Sequence, residues 1–308
     1  MVAKTRLFQR VRGRPLGPAF VEVSFAACLV DTFRFSNARN GFWSRLLSSL
    51  KPLLNRAQVE SQFDRAAATY DSVAALQRQM GDSLLQRTLS HELPRNSRLL
   101  DLGCGTGHLL AAFADAQFES LHGLDLSANM IEIARSKCSQ AEYSHASIES
   151  MPMADEFFDV LTSNAAIQWC DPASAAREMF RVLRTGGCVF ANTFVVGTLQ
   201  QWADAFEAAG IESRVHPLPS AEEIKQAFAA ADFVELEVRQ VVESSRFDSI
   251  DSMFASIRRL GASNASDSRN RPISKSEYRK LKHFFEQRLA DHGILELDFA
   301  WVELNARK

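Results

Sequence analysis

Residues 99–107 read Leu-Leu-Asp-Leu-Gly-Cys-Gly-Thr-Gly, and this run limits the choice of fold more than any other in the chain. An apolar stretch of this length, bounded by glycine, is the pattern of a strand buried on both faces, which belongs in a parallel sheet. Gly103, Gly105 and Gly107 then make a loop that can take positive φ and bring backbone N–H groups close to a ligand. A helix is predicted from His108. A second strand, about Ser120 to Asp125, follows and ends on a carboxylate. Strand, glycine loop, helix and acid-terminated strand together form the ligand-holding unit of an open α/β sheet, where ligands lie beyond the carboxyl ends of the strands.

The spacing narrows the ligand. Gly-x-Gly-x-x-Gly marks a dinucleotide, with its pyrophosphate on a helix N-terminus. Here the spacing is Gly-x-Gly-x-Gly, and Asp101 stands two residues before the first glycine. A carboxylate there repels a pyrophosphate but suits the ammonium of an amino-acid moiety, which points to S-adenosylmethionine rather than NAD. Asp125 is then expected to accept hydrogen bonds from ribose hydroxyls. The alternative is an ordinary strand-to-helix turn of an α/β protein.

The remaining pattern supports an α/β fold. Val59, Phe63, Ala66, Ala67 and Tyr70 recur at helical spacing and place Tyr70 on the apolar face of an N-terminal helix. A second helix covers about Ser72 to Ser90. Strands are predicted near 98–102, 120–125, 142–146, 158–163 and 187–194, with a helix capped by Ser127 and another opening at Pro172. Such alternation means a parallel sheet with helices on both faces. Helices at about 198–209 and 221–230 precede two late strands, 233–243 and 295–304, which read as an antiparallel edge pair opened by a helical insertion. That insertion, about 244–292, is expected to cap the substrate.

The chain has 308 residues and a formal net charge of −2, so nothing argues for a general nucleic-acid binder. Its 5 cysteines show no paired spacing, which disfavours a disulfide framework or zinc site and favours a reducing compartment. The histidines likewise lack metal-ligand spacing. Residues 1–54 differ in character: Lys4, Arg6, Arg10, Arg12, Arg14, Arg34, Arg39, Arg45 and Lys51 face only Glu22 and Asp31. They are expected to form a poorly ordered basic extension to a domain spanning 55–308, with a targeting segment as the alternative. The apolar run from Ala19 to Val30 is interrupted by Glu22 and is too short to span a bilayer.

The glycine loop and the strand order resemble the class I S-adenosylmethionine-dependent methyltransferases. More narrowly, Phe63-Asp64-Arg65-Ala66-Ala67-Ala68-Thr69-Tyr70, Leu76-Gln77-Arg78-Gln79 and Ile148-Glu149-Ser150-Met151-Pro152 resemble the malonyl-acyl-carrier-protein O-methyltransferases of biotin synthesis. Ile167-Gln168-Trp169-Cys170 and Ile257-Arg258-Arg259-Leu260-Gly261-Ala262-Ser263 carry the same likeness, which runs from about Arg56 to the C-terminus. The resemblance implies a Rossmann-like seven-stranded, mostly parallel sheet with an N-terminal helical lid and a helical cap before the last strand. It also implies a cytoplasmic, monomeric enzyme that methylates the free carboxylate of malonyl-acyl-carrier protein or malonyl-CoA. The expected cofactor set is Asp101, Gly103, Gly105, Gly107, Asp125, Leu126, Ser147, Ile148 and Asn164. Ser147 departs from the family, which usually has an acid there to meet the adenine amino group.

For catalysis the candidates are Tyr70, Gln168, Trp169 and Arg258. Ile250, Met253, Phe254 and Ile257 form one stripe of a predicted helix with Arg258 at its edge, from where a guanidinium fork would clamp the malonyl carboxylate. Arg259 points away, and Arg258, Arg259, Arg269, Arg271, Lys275, Arg279, Lys280 and Lys282 are expected to form a basic rim for an acidic carrier. Two other readings stay open: another small-molecule methyltransferase of the same fold, and a protein like a respiratory complex I assembly factor, which shares a segment resembling Gly261-Ala262-Ser263-Asn264; a third, a catalytically silent module of this fold, is disfavoured by the intact Asp101 and glycines.

Overall fold

In the computed structural model a seven-stranded sheet runs in the order β3-β2-β1-β4-β5-β7-β6. Its strands are β1 (Ser97–Leu102), β2 (Phe118–Asp125), β3 (Glu142–His145), β4 (Phe158–Asn164), β5 (Leu183–Phe194), β6 (Val234–Phe247) and β7 (Leu295–Arg307). The first five pair in parallel, and β7 is antiparallel to both β5 and β6. The chain builds outward from β1 to β2 and β3, then returns to place β4 and β5 on the other side. The crevice therefore opens between β1 and β4 at their carboxyl ends, where the glycine loop lies. The structure describes residues 56–93, 96–116, 118–213, 215–259 and 273–308, without the side chains of Arg258 and Arg259. The basic segment 1–54, the Arg258 clamp, and Arg269 and Arg271 of the basic rim fall outside these.

The helices are α1 (Arg56–Val73), α2 (Ala75–Ser90), α3 (His108–Phe113), α4 (Ala128–Lys137), α5 (Pro172–Val182), α6 (Gln200–Ala208), α7 (Ala221–Ala230), α8 (Ile250–Arg259) and α9 (Lys275–His292). Their starts are set by caps in the sequence. Ser127 accepts from the Met130 N–H, Asp171 accepts from the Ser174 N–H with Pro172 in the first turn, and Ser220 and Ser274 form capping boxes with Glu223 and Glu277.

Alternation along each central strand fills both faces. Leu99, Val160 and Phe190 join one core with Leu84 of α2 and Phe113 of α3, whereas their neighbours Leu100, Leu161 and Val189 join another with Met179 of α5 and Phe228 of α7. A third core gathers Trp202 and Phe206 of α6, the α8 stripe Ile250, Met253, Phe254 and Ile257, Leu281 and Phe285 of α9, and the start of β7. All the elements belong to one unit, Leu54–Lys308. Among the described residues no helix is long and apolar enough to cross a membrane, and no group of His, Cys, Asp and Glu is arranged to hold a metal ion.

Candidate functional site

The glycine loop is fastened to the end of β2 rather than to its own strand: the Gly103 and Cys104 N–H groups donate to the Leu124 carbonyl at 2.7 and 3.0 Å. One residue further on, Asp125 receives the Gly105 N–H on Oδ2 and the Ser127 N–H on Oδ1, each at 2.8 Å. Burial pushes the Asp125 carboxyl above its ordinary value, opposed by the N–H groups of Ser127, Gly105 and Leu126. A carboxylate has about four acceptor directions, so three N–H groups leave room for a ligand hydroxyl.

These groups edge a pocket of about 690 Å³ with open solvent included. Gly103, Gly105 and Asp125 line it together with Leu126, Ser147 and Ile148. Asn164, Ala165, Ala166 and Trp169 come from the end of β4 and the loop after it, and the roof is α1, through Arg56, Val59, Phe63 and Tyr70. Apolar lining from Leu126 and Ile148 together with the Asp125 carboxylate suits a purine nucleoside, so the residues present fit the cofactor read from the loop.

The three glycines do different things. A Cβ on Gly103 would fall 2.3 Å from the Ala166 Cβ, so its absence lets the loops after β1 and β4 meet. Gly107, with φ +80, has the Cα of Ala134 at 2.9 Å from where a Cβ would be. It is a packing glycine between α3 and α4, not a wall of the pocket. Gly105 faces open space.

Asp101 departs from its predicted place. It is 2 % exposed, does not line the pocket, and sits opposite Thr162 in the β1–β4 register, whose hydroxyl donates to its Oδ1 at 2.8 Å. Burial raises its pKa to about 7. Gln168 is also set back: its Oε1 accepts from the Thr193 hydroxyl at 2.9 Å and its Nε2 donates to the Ala165 carbonyl at 2.7 Å, which braces the loop after β4. Trp169 does line the pocket, edge-on to Phe63 at 5.7 Å and stacked on His216 at 4.6 Å. Ser147 accepts from the Glu149 N–H at 3.2 Å, turning the chain so that Glu149 enters the wall. The Tyr70 phenol is pushed up to about 12 by burial, with Asp125 and Asp71 adding to the shift.

The roof was legible only in part. Helical spacing gives the apolar face of α1, but not the polar ties that hold it down. Asp64 accepts from the Ser127 hydroxyl at 2.5 Å, and Asp71 accepts from the Thr106 hydroxyl at 2.7 Å and the Lys137 ammonium at 2.5 Å. Arg56 pairs with Glu149 at 2.7 Å. Among the described residues none from α8 or α9 lines the pocket, and its described cover is α1.

Residues 100–191 match the family model described as a methyltransferase domain. Over 272 residues the chain is 30% identical to a malonyl-[acyl-carrier protein] O-methyltransferase of Dechloromonas aromatica (strain RCB), covering 85% of this chain and 100% of that protein. The chain belongs to the malonyl-[acyl-carrier protein] O-methyltransferase family. The Serratia marcescens member of this family is 35% identical over 185 residues, 60% of this chain and 71% of its own length. A solved protein from Bacillus halodurans C-125 superposes with a TM-score of 0.55 at 20% identity, over 74% of this chain and 99% of that one, a likeness of fold alone. The chain is a class I S-adenosylmethionine-dependent methyltransferase.

Proposed function

We propose that this enzyme transfers a methyl group to the free carboxylate of a malonyl thioester on acyl-carrier protein, yielding the masked primer for the pimeloyl chain of biotin. The observation that carries the reading is Tyr70, a phenol kept protonated by burial in the pocket roof, in a lining that among the described residues holds no histidine or lysine to act as a base. A malonyl carboxylate is ionised at neutral pH and needs no base. It needs alignment, exclusion of water and a hydrogen-bond donor.

Bound S-adenosylmethionine supplies an electrophilic methyl group on a sulfonium. Asp125 would hold the ribose, Leu126 and Ile148 the adenine, and the Gly103–Gly105 loop the middle of the molecule. Tyr70 would donate to one carboxylate oxygen and leave the other to attack in line, forming the oxygen–methyl bond as the sulfur–methyl bond breaks. No proton moves, and opposite charges are neutralised. The rings of Phe63, Tyr70 and Trp169 would shield this step from water. Arg258 is proposed as a second partner of the carboxylate. On α9 the exposed Lys275 and Arg279, one turn apart, are proposed to meet the acidic carrier.

The test is methyl-ester formation with malonyl-acyl-carrier protein, with acetyl-acyl-carrier protein as the acceptor lacking a free carboxylate. Turnover is expected only with the first. Losing a hydrogen bond to a charged group costs about 1.5–3 kcal/mol, so Tyr70→Phe should lower kcat roughly tenfold or more while product affinity holds. Absence of malonyl turnover in protein that binds S-adenosylhomocysteine would overturn the reading.

A further inference from the structure

Among the described residues, rings from two different elements meet Trp169, the tryptophan of the pocket lining. Phe63 meets it edge-on from α1, with centroids 5.7 Å apart, so that contact lasts only while the roof is in place. His216 stacks on it from the segment between α6 and α7, with centroids 4.6 Å apart and the planes inclined by 28°. That segment does not depend on the roof. It is fastened to the sheet, since the Val196 N–H just past β5 donates to the Pro219 carbonyl at 3.0 Å, and Ser220 then caps α7.

His216 grips Trp169 twice. Its ring covers the indole, and its Nε2 donates at 3.4 Å to the Gln168 carbonyl, which belongs to the peptide group leading into Trp169. The residue is 7 % exposed, and its Nδ1 is buried without a hydrogen-bond partner. A phenyl ring would pack there and leave no nitrogen orphaned, so packing alone does not account for an imidazole. The Nε2 bond does, because it holds the backbone from which the indole projects while the stack sets the plane of the ring. The stack is the stronger of the two grips, since the hydrogen bond is long. Burial holds the imidazole below its ordinary pKa, so at neutral pH it supports the indole without adding a positive charge near a cationic methyl donor. His216 does not line the pocket, so it acts there through Trp169.

We propose that His216 is a positioning residue for methyl transfer, one that fixes the Trp169 indole as a wall of the pocket independently of the roof. The reaction it serves is the one read above, on which the activity arm of the test rests. The fixing of the indole is a property of the ligand-free chain and is tested without an acyl acceptor.

Fluorine NMR of the full chain labelled with 5-fluorotryptophan gives one line for each of its 4 tryptophans, and Trp169→Phe identifies the line of Trp169. In His216→Ala that line is expected to shift and broaden while the other lines stay in place. Methylation of malonyl-acyl-carrier protein should lose roughly threefold to tenfold in kcat, the scale of one aromatic pair, with affinity for S-adenosylhomocysteine held within about twofold. His216→Phe restores a ring and should recover most of that loss, whereas His216→Gln keeps a donor for the Gln168 carbonyl without a ring and should not. An unmoved Trp169 line in His216→Ala, or a His216→Phe that recovers no more than His216→Gln, means the assignment is wrong. If His216→Ala loses every line, the comparison of His216→Phe with His216→Gln decides. Absence of malonyl turnover in the parent overturns the malonyl reading instead, and the Trp169 line then decides this one.

Discussion

At the scale of single residues, Asp101 shows where reading along the chain stops. The sequence places a carboxylate two residues before a glycine loop, and that part is real. Its partner, Thr162, lies 61 positions away and meets it only because β4 pairs with β1 in that register. No local spacing encodes such a pair, and the same holds for Gly107 against Ala134. The consequence is measurable. An unfolded aspartate titrates near 4, whereas folded Asp101 titrates at about 7. Between those values the folded chain holds the extra proton, so this group favours folding fully below about pH 4, and its contribution is lost as pH rises to about 7. Asp101→Asn carries no such proton. Its urea midpoint should fall less than the parent's between pH 5 and 7.5, and parallel pH dependences in the two proteins would exclude a raised pKa at this position.

At the scale of elements, the strands and most helices were legible because apolar runs, caps and glycines are local. The role of α1 was not, since periodicity gives a helix an apolar face without saying what the face meets. Two polar ties join α1 to the glycine loop and α4. In one, Asp71 is held below its ordinary value: hydrogen bonds from Lys137 and Thr106 outweigh the opposing effect of burial. In the other, Asp64 receives the Ser127 hydroxyl, on the residue that also caps α4. A typical hydrogen bond contributes about 1 kcal/mol net, so Asp64→Ala with Asp71→Ala should remove roughly 2 kcal/mol from the closed roof. Stopped-flow release of S-adenosylhomocysteine is expected to speed up at least tenfold, with the melting temperature of the ligand-free protein little changed. Equal release rates would mean that α1 does not gate the pocket.

At the scale of the whole molecule, the insertion between β6 and β7 had a legible stripe, Ile250, Met253, Phe254 and Ile257, and an illegible destination. That stripe is spent on a core, where Trp202 stacks on Phe285 with ring centroids 5.4 Å apart and meets Phe254 edge-on at 5.1 Å. Phe285 is 1 % exposed, so Phe285→Ala should destabilise the chain by roughly 3–5 kcal/mol, read as a lower urea midpoint. A loss below 1 kcal/mol would show the insertion to be loosely attached. Stability is therefore unevenly spread, because the 18-residue α1 has only Val59 and Ala67 fully buried. Helix α1 belongs among the segments whose backbone amides exchange with solvent by local opening, at a free energy well below that of global unfolding. A ligand that binds only beneath a closed α1 gives up part of its binding energy to that closure, so its occupancy is written directly into the exchange rates of these N-terminal amides.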